Sequence, residues 1–88
     1  MNRRRRIKVN VEPGTFSNER VVSFQSGERS YNLLVDVEDV VQTAEGSYLE
    51  VYLVDERDGE ALIDLPRDTF SSGPRARVES GQLQPVAV

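Results

Sequence analysis

The chain contains neither cysteine nor histidine, and the two absences exclude much of the chemistry a small protein can host. Without cysteine there is no disulfide framework and no thiolate, which points to a reducing compartment. Without histidine the usual general base is gone, and with both missing so are the usual zinc ligands. No apolar run approaches the ~20 residues of a membrane-spanning helix. The arginines near the start lead into a stretch that alternates and turns, so no secretory signal is expected and a cytoplasmic location is. Phosphate-binding glycine loops and nucleophile elbows are also missing. The carboxylate pairs Asp36/Asp39 and Asp64/Asp68 read as solvated strand ends and turn acids. The acidic loop from Asp55 to Glu60 lacks the ligand spacing of a calcium-binding loop. The expectation is a protein that is not an enzyme and has no cofactor and no metal.

What the chain does have is charge, unevenly placed. Its 88 residues, enough for one domain with one core, carry a net charge of −4. Residues 1–8 hold Arg3, Arg4, Arg5, Arg6 and Lys8 and no acid. The rest of the chain has six basic residues against all fifteen acidic ones, a balance of 6 − 15 = −9. Blocks of opposite sign in so short a chain attract each other, within a molecule or between molecules.

Alternation dominates the pattern. Ile7, Val9 and Val11 alternate with Lys8, Asn10 and Glu12, the period of a strand, and Pro13-Gly14 ends it. Strands near 20–26 and 29–35 flank a Ser26-Gly27-Glu28 turn. Strands near 48–55 and 60–65 flank Asp58-Gly59, a dipeptide suited to the positive φ of a hairpin tip. A further strand is expected near 75–79. The only helical candidate is one short turn near 36–42, too short and too β-branched to stand alone. The fold expected is all-β: a small single-domain barrel or sandwich of about six short, mostly antiparallel strands. Its boundaries are a flexible basic arm at 1–6, the barrel at 7–83 and a flexible tail at 84–88. The two halves also share an outline, three strands and then a short step from Val35 to Val40 or from Val78 to Leu83, which suggests an internal repeat.

Alternation further names a core: Ile7, Val9, Val11, Val22, Phe24, Tyr31, Leu33, Val35, Leu49, Val51, Leu53, Ala61, Ile63, Leu65, Ala76 and Val78. Phe16 and Phe70 are expected to cap the barrel ends from loops. The opposite faces should be polar in a free monomer, yet Leu34, Tyr48, Tyr52, Val54 and Leu62 occupy outward positions. Together they would form an exposed apolar and aromatic patch of the kind that marks an interface. The expected function is therefore a non-catalytic protein–protein interaction or self-association module whose partner is a second copy or another protein. The alternative is nucleic-acid binding, with Arg3, Arg4, Arg5, Arg6 and Lys8 contacting phosphates. Against it, the acidic remainder would repel a polyanion from every other face.

Overall fold

The structure is a computed structural model and describes residues 2–71 and 73–86. Eight strands follow in chain order: β1 (Arg4–Pro13), β2 (Glu19–Ser26), β3 (Arg29–Asp36), β4 (Val40–Thr43), β5 (Gly46–Arg57), β6 (Glu60–Asp64), β7 (Arg75–Glu79) and β8 (Leu83–Pro85). Single 3-10 turns, Val37–Asp39 and Ser80–Gln82, precede β4 and β8. Every pairing is antiparallel. Six strands, in the order β3-β2-β1-β5-β6-β7, curl into a nearly closed barrel, with β4 added to β5 and β8 added to β1. The all-β barrel anticipated from alternation is the fold found. It carries two short strands and one 3-10 turn more than the pattern announced.

The period of two along β1, β2, β3 and β5–β7 places one side of each strand inside. Ile7, Val22, Leu33, Leu49 and Ile63 are fully enclosed, and the expected core residues all belong to one cluster, with Val11 and Tyr31 packed at its margin. The turns obey local chemistry. Asp58 and Gly59 both take positive φ, 55° and 81°, which matches the twist of the β5–β6 hairpin, and Gly27 at 61° opens the β2–β3 turn.

The pairing register relates the two halves by a pseudo-two-fold axis between Ile7 and Leu49, which face each other across β1 and β5. The flanking pairs Arg6–Glu50 and Lys8–Tyr48 exchange under it. Outward from the axis, Val11 pairs with Val22 as Leu53 pairs with Ile63, and Val22 with Leu33 as Ile63 with Ala76. Val40 on β4 sits opposite Leu49, as Leu83 on β8 sits opposite Ile7. Even the 3-10 turns match: Asp36 N donates to the Asp39 carboxylate at 3.2 Å, and Glu79 N donates to Gln82 Oε1 at 3.2 Å. The repeat suggested by outline is thus present as topology, with the last strand of each half completing the ladder of the other.

Three expectations about the ends are corrected. Arg4, Arg5 and Arg6 are not part of a flexible arm but belong to β1, held by β5 on one side and β8 on the other. The tail from Gln84 is likewise docked: Gln84 and Pro85 pair with β1, Val86 is buried, and its carbonyl accepts from Asn2 Nδ2 at 3.0 Å. Ala87 and Val88 lie outside the described residues. Phe16 and Phe70 do not cap the barrel; they stand 67% and 66% exposed. Both occupy loops whose backbone is fixed by other groups, so their rings are not drawn inward: Glu19 donates to Phe16 O at 3.0 Å, and Phe70 donates to Asn32 O at 2.8 Å.

Candidate interaction surfaces

Because β1 changes neighbours halfway along, its outward residues serve two different faces. Arg4, Arg6 and Lys8 lie against β5, while Asn10 and Glu12 lie against β2. On the first face, cross-strand pairing sets Arg4 beside Tyr52, Arg6 beside Glu50 and Lys8 beside Tyr48. The two groups of residues singled out by sequence, cationic and aromatic, therefore meet on one surface. Most of the arginines are committed there. Arg4 Nη2 donates to Glu50 at 2.7 Å, and Arg6 Nη2 reaches the other oxygen of the same carboxylate at 3.5 Å. Hydrogen bonding to Arg4 is the main cause that holds the Glu50 carboxyl below its ordinary range and raises Arg4. Arg3 donates to the carbonyls of Leu53 and Val54, and Arg5 to those of Asn2 and Arg4. Lys8 makes no ion pair among the described residues, and Arg6 Nε is buried without a partner among them. The row continues from Tyr52 to Asp64 on β6 and Arg75 on β7, the last two bridged at 2.8 Å.

The five residues expected to form one patch do not come together. Tyr52 is 54% exposed on the cationic face. Tyr48 is only 4% exposed, with Lys8 opposite on β1 and Val41 opposite on β4. The Lys8 stem follows the strand here, its Cε 2.8 Å from where a Cβ on Gly46 would stand. Val54 is half-buried at a bulge in the β5–β6 ladder. Leu62, also half-buried, lines a hollow of mixed charge with Asp55, Glu56, Asp58 and Glu60 and with Arg57 and Arg77. Leu34 belongs to another face altogether, across β2 from β1.

That other face, the outside of β2 and β3, is where apolar surface collects. Val21 and Leu34 are direct cross-strand neighbours. The Leu33–Thr69 bridge turns both of those residues inward and leaves Phe70 outward beside Asn32, diagonal to Leu34. Val37, also exposed, falls instead on the parity of Arg20 and shares a hollow at the barrel end with Arg20, Val11, Val40 and Gln42. The next row, Asn10–Ser23–Asn32, is neutral and polar. Acids frame the face: Glu19 opposite Asp36, Glu12 beside Val21, and Asp68 beside Leu34. No lysine or arginine occupies an outward position of β2 or β3, since Arg20 and Arg29 fall on the opposite parity. Sequence reasoning assigned Phe16 and Phe70 to the barrel ends and gave Val37 no surface role, because each sits in a loop or turn, where alternation carries no information. The excess of large apolar side chains in turn segments was the available signal. A search of protein-family models, of curated proteins and of solved structures finds none that matches the chain.

Proposed function

We propose that the protein is a non-catalytic interaction module that associates through the outer face of β2 and β3. The observation that carries this reading is the exposure of Leu34 and Phe70 beside one two-stranded face, with Phe16 exposed in the adjoining loop. In a small monomer such side chains cost solubility without contributing to the core, whereas contiguous apolar surface is what a partner removes from water. The commitment of Arg3, Arg4, Arg5 and Arg6 to carbonyls and to Glu50 supports this reading over nucleic-acid binding, since those charges already have partners. Sedimentation equilibrium tests it: the wild-type chain associates, and Leu34→Lys or Phe70→Ser returns it to monomer with the melting temperature little changed. Association that survives both substitutions overturns the choice of face.

A further inference from the structure

Resting on that reading, we infer that the partner is a second copy bound head to tail, the acidic β2–β3 face of one molecule against the cationic β1–β5 face of the next. The two faces carry opposite charge. Arg4, Arg6, Lys8 and Arg75 against Glu50, Asp64 and Asp39, which shares a hollow with Arg4 and Tyr52, give 4 − 3 = +1 on the surface around Tyr52. Around Leu34, the outward acids Glu12, Glu19, Asp36 and Asp68 give −4 with no outward cation on β2 or β3.

Each face also offers apolar surface to bury at its centre: exposed Tyr52 on one, Leu34 with Phe70 on the other. A symmetric dimer through β2–β3 would set four acids against the same four acids. One through β1–β5 would set like cations together. Only the crossed arrangement opposes the signs, and like-charge juxtaposition is what suppresses the wrong pairings. A contact between two different patches is heterologous, so it grows into a chain or a ring rather than stopping at a pair. Lys8, without an ion pair among the described residues, is the cation left to meet those acids.

The test uses full-length protein in sedimentation velocity, with Leu34→Lys or Phe70→Ser blocking one face and Lys8→Glu or Tyr52→Asp blocking the other. The mass of the wild type should rise with concentration past the dimer. The association should weaken at least tenfold at about 1 M salt, where the Debye length is ~3 Å. Each blocked variant alone should be monomeric. An equimolar mixture of Leu34→Lys and Lys8→Glu should form one-to-one dimers, since each retains the face the other lacks. A wild type that plateaus at the dimer overturns the head-to-tail contact, and so does a mixture that stays monomeric. If Lys8→Glu and Tyr52→Asp associate like wild type while Leu34→Lys does not, the head-to-tail contact falls and the β2–β3 face stands. A wild type that is monomeric at every concentration removes self-association on both counts.

Discussion

Strands β1–β4 and β5–β8 build the same interior and present different exteriors. Inside, the halves supply aliphatic residues at most equivalent positions: Ile7 and Leu49, Val11 and Leu53, Val22 and Ile63, Val35 and Val78, Val40 and Leu83. Outside, the first half shows Val21, Leu34 and the Asn10–Ser23–Asn32 row, whereas the second shows Glu50, Asp64 and the acidic β5–β6 hairpin. Burial explains the difference. An inward position must fill space at close packing, and a polar group there lacks water, so the choice is narrow. An outward position meets solvent and is free to diverge, so surface chemistry can differ between halves that share a register.

The largest test of this comparison lies at the axis. Ile7→Ala and Leu49→Ala each empty an enclosed position and should each cost ~2–5 kcal/mol, with urea midpoints that fall together. Unequal losses would break the equivalence of the halves. Next come the hairpin tips: Gly27→Ala and Gly59→Ala place a Cβ in left-handed backbone and should each cost about 1–2 kcal/mol by thermal melts.

The seam between β3 and β7 distinguishes the halves. Tyr31 there both accepts from Arg77 N at 3.1 Å and donates to Arg77 O at 3.2 Å, and its counterpart in the second half is Pro74, whose carbonyl accepts from Leu65 N. Tyr31→Phe should cost about 0.5–1.5 kcal/mol and speed amide exchange at Arg77, with no such effect across the axis.

The smallest effect is in pH. Glu50 is held below the ordinary carboxylate pKa in the folded state, chiefly by its hydrogen bond to Arg4. It therefore contributes stability above the unfolded value of 4.5, lost as pH falls through the lower folded value. The pair is solvent-exposed, so the contribution is small. In chemical denaturation, Glu50→Gln should lose less stability than wild type between pH 5 and about 3, and little should separate the two curves in high salt.

Much of the interior was legible because strand period and burial have the same cause. Ile7-x-Val9-x-Val11 and Leu49-x-Val51-x-Leu53 announce both the strand and its inward side. The arginine run was misread for the same reason. Four identical cations in a row show no alternation, although long stems let them occupy a strand with their heads in water. β4 and β8 were missed because three or four residues carry too little pattern, and Tyr48 was taken as exposed because its place in the alternation is outward. Phe70 was taken for a barrel cap because loop residues have no period to say which way they face.

The sequence by itself determined that the chain is all-β, which side chains enter its core and where its tight hairpins turn, since those follow from alternation and from the φ that glycine permits. Only the tertiary structure decided that β1 lies against β5, that each half receives its last strand from the other, and that Arg4 and Glu50 meet. The β1–β5 and β1–β8 pairings join segments about forty to eighty residues apart in the chain, and local periodicity does not encode which strand becomes whose neighbour.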